Sequence, residues 1–203
     1  MKAILFDLDG NLVDSFDCWL SAFNDTMEKF GKRKVGEREY REKYQGRGVR
    51  SIFEKLGLGD DAIKYCTSRL MNNLDKIEVF PETKKILESL SKKFKLGIVT
   101  NAMSDFVHKT LEYFDLKKYF DVIVTVDDVK ERKPDPEMVI KACKLLGLDP
   151  SDVIVVGDEK NDVLAGKSAG CVVVGLNREG DYKIKSLLEL EKLVERLSRS
   201  SCQ

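Results

Sequence analysis

Five short apolar runs constrain the fold of this chain more than any other feature of its sequence. Each is continuous rather than alternating in polarity, and most of their residues are β-branched, which is typical of parallel strands covered by helices on both faces. The runs are residues 3–6, 96–99, 122–124, 153–156 and 172–174. Segments with helical periodicity separate them, so the sequence predicts an α/β fold with a Rossmann-like, doubly wound parallel sheet.

Proline and capping signals predict where the helices between these runs begin. Helices are expected after Pro81 and after Pro136, because proline fits the first turn of a helix. Another is expected after Ser104 and Asp105, which can cap a helix. A fourth is expected over about residues 161–168, so helices and strands alternate as a doubly wound sheet requires.

The interval between the first and second runs breaks this alternation, because it shows helical periodicity and no convincing strand. Apolar residues recur at helical spacing near its start, at Phe16, Trp19, Leu20 and Phe23. Further helices are expected over residues 50–56 and 60–74. We therefore predict a core domain of residues 1–15 and 79–203 with an inserted α-helical cap domain, residues 16–78.

Charge and composition exclude several classes of function. Lys plus Arg and Asp plus Glu number 35 each in 203 residues, so the formal net charge is zero and no positive field gathers nucleic acid. No apolar stretch approaches the ~20 residues of a membrane helix, and the apolar start is too short for a signal peptide. The five cysteines lack CxxC spacing and are expected to be buried thiols. We therefore expect a cytoplasmic protein with no nucleic-acid or membrane partner.

Polar side chains follow four of the five runs, at the point where each predicted strand ends. They comprise two acids after the first run, a hydroxyl and an amide after the second, a lysine after the third and two acids after the fourth. The residues are Asp7, Asp9, Thr100, Asn101, Lys133, Asp158 and Asp162. Because the carboxyl ends of parallel strands meet at one edge of a sheet, we expect these side chains to lie in one crevice.

The acids after the first run are suited to metal-assisted chemistry. Asp7 and Asp9 stand at i and i+2, so both carboxylates can face the same side, and a divalent cation would relieve their repulsion. Gly10 would permit a tight turn whose amides approach an anion. Taken alone, each residue of the set also has an ordinary explanation as a turn residue, a helix cap or a solvated charge. Their joint order nevertheless favours a catalytic site.

The segments DLDGNLVDS, VTN, KPDPE and GDEKND resemble the four motifs of the haloacid dehalogenase superfamily in order and spacing. The resemblance covers nearly the whole chain, including a helical cap between the first and second motifs. It is strongest to the phosphoglycolate phosphatase and β-phosphoglucomutase subgroup. It implies a phosphatase that needs Mg²⁺ and hydrolyses a small-molecule phosphate monoester, with phosphoglycolate as the default substrate.

The resemblance also implies roles for individual residues. Asp7 would attack phosphorus and form an aspartyl-phosphate, and Asp9 would protonate the leaving oxygen and later deprotonate water. Mg²⁺ would bind the carboxylates of Asp7 and Asp158 and the main-chain carbonyl of Asp9. The transferring phosphoryl group would be held by Thr100 and Lys133, with amide donors from Gly10 and Asn101. Asp162 would orient Lys133 or a metal-bound water.

Two positions depart from the motifs that the chain resembles. Asn11 stands where the first motif normally has threonine, which puts in doubt the hydrogen bonding that steers Asp9. Glu159 stands where the fourth motif usually has a hydroxyl, and it adds negative charge beside the expected metal site. Neither position supplies the nucleophile, the acid or the lysine, so an active enzyme is still expected.

Three other functions remain open at this point. A phosphomutase would use the same aspartyl-phosphate, and residues 45–50 resemble the arginine-bearing loop of the mutases. In either case we expect Arg47 and Arg50 to contact the substrate, although each could equally be a solvated charge. A dehalogenase is disfavoured because it would not need Asp9 and Asp158. A binding protein without activity is the remaining alternative, and the oligomeric state is not indicated.

Overall fold

The computed structural model describes residues 1–200, except the side chains of residues 199 and 200. The chain divides into two compact units. The core unit comprises Met1–Val13 and the chain from Val79 onward, and the helical unit comprises Asp14–Glu78. No helix in the described part is both long enough and apolar enough to cross a membrane.

The described residues contain eight strands. They are β1 (Ala3–Phe6), β2 (Val13–Asp14), β3 (Glu78–Val79), β4 (Lys95–Val99), β5 (Val122–Val124), β6 (Val153–Gly157), β7 (Val172–Leu176) and β8 (Tyr182–Ile184). Six of them form one parallel sheet in the order β5-β4-β1-β6-β7-β8, while β2 and β3 form a separate two-stranded sheet. The predicted α/β fold is confirmed, and all five predicted strands are present.

Helices alternate with these strands in the core unit and fill most of the helical unit. They are α1 (Phe16–Lys29), α2 (Glu37–Lys43), α3 (Val49–Lys55), α4 (Asp60–Asn72), α5 (Thr83–Ser91), α6 (Ser104–Tyr113), α7 (Glu137–Leu146), α8 (Lys160–Ala169) and α9 (Leu187–Ser200). Short 3₁₀ turns lie at Leu74–Lys76, Lys117–Tyr119, Val126–Asp128 and Pro150–Asp152. The sequence pattern did not predict β2, β3, β8, α2 or α9.

The central strands are buried along their whole length, which explains why their sequences are continuously apolar. Every residue of β1 and of β6 is buried. In the sheet, Phe6 at the end of β1 stands opposite Ile98 of β4 on one side and Val156 of β6 on the other. The three strands therefore end at the same level, and the residues that follow them emerge at one edge.

The buried face of α1 differs from the predicted apolar stripe. Phe23 is buried, but Phe16, Trp19 and Leu20 are only half-buried. The other buried positions of α1 are Cys18, Ala22, Thr26 and Met27. Small and weakly polar residues make this face less visible in the sequence than the aromatic one beside it. Within the helical unit, Phe23 stacks on Phe53 with ring centroids 5.7 Å apart.

The cysteines within the described residues are buried. Cys18, Cys66, Cys143 and Cys171 have little exposed surface, and none of these four forms a disulfide. The fifth, Cys202, lies outside the described residues.

Candidate active site

Asp7 and Asp158 lie side by side because they follow neighbouring strands. β1 and β6 are parallel and in register, so the chain leaves both strands at the same edge of the sheet. Asp162, in the first turn of α8, joins them from the helix that follows β6. One carboxylate oxygen from each of these three residues lies within 4.8 Å of the other two.

Lys133 reaches this cluster from the loop after β5, and its side chain is 4% exposed. Its Nζ lies 3.0 Å from Asp7 Oδ1 and 2.6 Å from Asp162 Oδ1, and it donates to the carbonyl of Val99 at 2.9 Å. A protonated lysine has three N–H donors, so these three acceptors use all of them. Lys133, which the sequence places in a charged loop, is therefore buried at the centre of the site.

The second predicted segment fixes the position of this lysine. The side chain of Asn101 accepts from the N–H of Lys133 at 3.0 Å and donates to its carbonyl at 3.1 Å. The side-chain amide of Asn101 therefore uses one of its two N–H donors on the lysine, which leaves the second to be donated. Thr100 is buried, and its hydroxyl oxygen accepts from the N–H of Ala102 at 3.2 Å, which leaves the hydroxyl hydrogen to be donated.

Gly10 serves the site through close packing. Its φ is +75°, and a Cβ at this position would stand 2.4 Å from Asp158 Oδ2, so a side chain here would displace that carboxylate. Its N–H donates to the carbonyl of Val13 at 2.8 Å. The N–H is thus engaged in the turn, and we do not retain its predicted role as a donor to the substrate.

Asn11 ties this turn to the strand that carries Asp158. Its side chain is fully buried, and Nδ2 donates to the carbonyl of Val156 at 2.9 Å. The N–H of Asp7 donates to the same carbonyl at 3.0 Å. The Oδ1 atom of Asn11 is buried without a hydrogen-bond partner in the described residues. Asn11 therefore bonds the β1 turn to β6 at the position where the motif normally has threonine.

We expect Asn11→Ala to lower the free energy of unfolding by about 1–2 kcal/mol, because a buried carbonyl loses one of its two donors. Urea denaturation followed by circular dichroism measures this change. Asn11→Asp at pH 8 has the same size but lacks the donor and adds a buried charge, so it should lose at least as much. Unchanged urea midpoints in both variants would contradict the structural role of this bond.

Glu159 performs the task that a hydroxyl usually performs at the start of a helix. Its side chain accepts from the N–H of Asp162, and Asp162 Oδ2 accepts from the N–H of Glu159 at 2.9 Å, which is a reciprocal capping box at the start of α8. Asp162 thus caps the helix with one oxygen and binds Lys133 with the other. Helix capping and contact with Lys133 are therefore compatible at Asp162, because they use different oxygens of its carboxylate.

Burial and repulsion between carboxylates raise the pKa of two acids of the site, Asp7 and Asp158. Burial raises the pKa of Asp7 well above its ordinary value, and the charge of Lys133 only partly offsets this. Burial, followed by repulsion from Asp162 and Glu159, raises the pKa of Asp158 to about 7. Burial acts to lower the pKa of Lys133, but the carboxylates of Asp7 and Asp162 outweigh it and the pKa is raised. One charged lysine therefore faces more carboxylates than it can neutralise.

The cluster fits a divalent cation. Asp158 Oδ1 is buried and has no hydrogen-bond partner among the described residues, which is costly unless another group binds it. Hard cations such as Mg²⁺ and Ca²⁺ take carboxylate and carbonyl oxygens. Asp9 is half-exposed, and its carboxylate is close enough to contribute to the raised pKa of Asp7.

Comparisons with known proteins agree with this geometry. Residues 4–176 match the family model described as haloacid dehalogenase-like hydrolase. The chain belongs to that family. The prediction from the four motifs is thereby confirmed, as is the prediction that the protein is a hydrolase.

Relatives of this haloacid dehalogenase-like hydrolase are named phosphatases. A phosphoglycolate phosphatase from Aquifex aeolicus is 36% identical, with 84% of this chain and 82% of the relative covered. A pyrophosphatase PpaX from Halalkalibacterium halodurans is 33% identical, with 96% and 97% covered. The crystal structure of an HAD phosphatase from Thermococcus onnurineus is 31% identical, with 96% and 98% covered and a TM-score of 0.77.

The two predicted arginines of the helical unit differ in their surroundings. Arg47 lies in the turn before α3 and forms no ion pair among the described residues. Arg50 lies inside the first turn of α3, and its Nη1 binds Asp60 Oδ1 at 2.8 Å and lies 3.7 Å from Glu54 Oε1. The predicted loop of residues 45–50 therefore ends two residues early, because α3 begins at Val49.

One residue near the site was not predicted. Arg178, two residues beyond the end of β7, donates from Nε to the main-chain carbonyl of Asp158 at 2.6 Å. The signal that could have found it is the same one that marked the other residues, since it follows an apolar strand at the same edge of the sheet.

Proposed function

We propose that this haloacid dehalogenase-like hydrolase is a Mg²⁺-dependent phosphatase that hydrolyses small-molecule phosphate monoesters through an aspartyl-phosphate on Asp7. The observation that carries this proposal is the buried ion pair between Asp7 and Lys133 beside the acids Asp158 and Asp162. A carboxylate that is buried, oriented by a cation and next to a candidate metal site is arranged as a nucleophile.

The contacts of Asp7 favour attack by one particular oxygen. Oδ1 accepts from the N–H of Leu8 at 2.8 Å and from Lys133 at 3.0 Å. Oδ2 takes part in neither contact. In the proposed first step, this oxygen bonds to phosphorus while the ester oxygen leaves, and Asp9 gives the leaving oxygen a proton. Asp9 then takes a proton from the water that displaces Asp7, which restores both carboxyl groups.

Mg²⁺ would be held by the carboxylates of Asp7 and Asp158 and the main-chain carbonyl of Asp9, and it would neutralise charge on the phosphoryl oxygens. The hydroxyl of Thr100 would donate to one of those oxygens. Lys133 already has three acceptors, so it can bind a phosphoryl oxygen only by giving up one of them. Its main proposed effect is to hold Asp7 in place.

The experiment that tests this function is a phosphate-release screen over phosphorylated metabolites. With Mg²⁺ present, the protein should release phosphate from at least one monoester or from pyrophosphate, and excess chelator should stop the release. A lack of turnover across the whole panel would favour a binding protein instead. Formation of an isomerised sugar phosphate faster than free phosphate would favour a phosphomutase.

Stabilisation by Mg²⁺ should increase as the pH rises through about 7. The pKa of Asp158, raised to about 7 by burial, means that protons compete with the metal below that pH. We expect Mg²⁺ to bind roughly tenfold more weakly at pH 6 than at pH 8, measured by thermal shift or calorimetry. Phosphate release is not needed for this readout.

Asp158→Asn provides the matched variant for this prediction. It should lose most of the Mg²⁺-dependent stabilisation. Because the folded pKa of Asp158 is raised, ionisation of this group costs stability above pH 7, so the variant should be more stable than wild type without metal at pH 8. Equal stabilisation of both proteins by Mg²⁺ would contradict the proposed metal site.

The helical unit is proposed to act as a cap domain that selects the substrate, following the predicted boundaries of residues 16–78. Arg47 is the stronger candidate for substrate contact within that unit, because Arg50 is already paired with Asp60. By analogy with the named relatives, phosphoglycolate and pyrophosphate are the first substrates to test.

A further inference from the structure

Arg178 is held at the edge of the candidate site by a single hydrogen bond. It follows β7, the neighbour of β6 in the sheet, and its Nε donates to the carbonyl of Asp158 at 2.6 Å. The residue is exposed. The bond therefore joins a solvent-facing arginine to the main chain of an acid in the proposed metal site.

The backbone of the loop after β7 determines where this arginine points. A Cβ on Gly175 would stand 2.2 Å from the carbonyl oxygen of Arg178, so the loop folds back closely over the strand. Asn177 has a φ of +54°, and its N–H donates to the carbonyl of Ile184 at 2.8 Å. These two constraints hold the main chain in place at Arg178 and at the residue before it.

The terminal nitrogens of Arg178 have no partner in the part of the chain that the structure describes. Glu179, its neighbour, pairs instead with Lys183 at 2.5 Å. Burial raises the pKa of Glu159 and the charge of Arg178 opposes that rise, but no ion pair joins these two residues in the described part of the chain. Arg33, by contrast, uses both of its terminal nitrogens in two bonds to Glu39. A guanidinium fixed through Nε with both terminal nitrogens unused is suited to bidentate binding of a carboxylate or phosphate.

The negative charge around the site indicates what the unpaired terminal nitrogens of Arg178 could bind. With the charges of Asp7 and Asp158 offset by the proposed Mg²⁺ and Asp9 carrying the proton that it donates, Glu159 would still repel a second anionic group at this edge. Lys133 offsets part of this repulsion through its charge, but all three of its donors are used, so it has no N–H left for a second anionic group. Arg178 supplies a positive charge at the edge with its bonding capacity unused.

We infer that Arg178 binds a second anionic group of the substrate, so that the preferred substrates carry a carboxylate or another phosphate close to the phosphoryl group. This inference rests on the proposed phosphatase function and adds a specificity-determining residue on the core unit. Two substrate chemistries meet the requirement, a carboxylate-bearing monoester such as phosphoglycolate and a phosphoanhydride such as pyrophosphate.

The test compares Arg178→Ala with wild type on phosphoglycolate, pyrophosphate and methyl phosphate, all with Mg²⁺. For the better of the two substrates that carry a second anion, kcat/KM relative to methyl phosphate should fall roughly ten- to a hundredfold, mainly through KM. The substrate that shows this fall identifies the second anionic group: a carboxylate for phosphoglycolate, a phosphate for pyrophosphate. Arg178→Lys keeps the charge but lacks the planar guanidinium, so its kcat/KM relative to methyl phosphate should lie between those of wild type and Arg178→Ala.

Lys183→Ala is the matched control, because it removes a positive charge from β8, the strand that follows the same loop, at a side chain already paired with Glu179. It should leave the relative kcat/KM within about twofold of wild type. An equal fall of Arg178→Ala on all three substrates would mean that the arginine acts through Asp158, and the inference would be wrong.

Unchanged selectivity in Arg178→Ala, or a wild type that hydrolyses methyl phosphate as well as the other two, would also overturn the inference while leaving the phosphatase intact. No turnover of any substrate by the wild type would overturn the proposed function, and the inference with it. Thermal melting of each variant checks that the fold is retained, as expected for an exposed side chain.

Discussion

Asp7→Asn should reduce turnover by roughly 10⁴-fold or more while the protein stays folded. An amide oxygen is a poor nucleophile, but it can still accept from the N–H of Leu8 and from Lys133, so the packing around residue 7 is retained. The measurement is phosphate release under single-turnover and steady-state conditions, together with thermal melting. Loss of activity with an unchanged melting profile is the expected result.

The control for this variant is Asp75→Asn, which makes the same carboxylate-to-amide replacement at an exposed acid of the helical unit. It should retain wild-type turnover. Rapid quenching of the wild type with labelled substrate should place the label on Asp7. Substantial activity in Asp7→Asn, or label on another residue, would refute the proposed nucleophile.

Lys133→Met should lower the free energy of unfolding by about 3–5 kcal/mol and also remove most turnover. The side chain of Lys133 is 4% exposed, so its removal leaves Asp7 and Asp162 as buried acids without a cation. Methionine fills a similar volume, which separates the electrostatic loss from a packing loss. Urea denaturation in the absence of metal gives the stability change, and phosphate release gives the activity.

The double variant Lys133→Met with Asp162→Asn distinguishes the two effects. Removing one of the uncompensated acids should restore part of the stability, while turnover stays low because Asp7 is no longer held by a cation. If Lys133→Met alone unfolds at the wild-type urea concentration, the ion pair does not stabilise the fold as proposed.

The convergence of Asp7, Thr100, Lys133 and Asp158 could be predicted from the sequence, because strand register makes their positions a consequence of the sheet. Their individual bonds could not be predicted. The three acceptors of Lys133 come from segments far apart in the chain, and which oxygen faces which donor depends on side-chain distances that no local pattern records. For the same reason, the sequence could not show that the N–H of Gly10 donates to Val13 within its own turn.

Elements were missed for different reasons. β8 has three residues of which only Ile184 is buried, so it forms no apolar run. In α9 the buried residues Leu187, Leu190 and Val194 stand at i, i+3 and i+7, so the sequence does carry a helical signal there. In α1 the aromatic residues give a stronger pattern than the small residues of the buried face. Comparison with the motifs locates the departures Asn11 and Glu159 in the sequence. Their hydrogen bonds can be seen only in the folded structure.

The central place of β1 in the sheet has a consequence for how the protein is made. Ala3 pairs with Val153, so the first strand receives one of its two neighbours only after three quarters of the chain has been synthesised. Until β6 is present, the Asp7 turn lacks the Val156 carbonyl that binds both Asp7 and Asn11. A ribosome-bound fragment that ends before β6 therefore cannot assemble the carboxylate cluster, and pairing over so long a separation should make its formation a late event in folding.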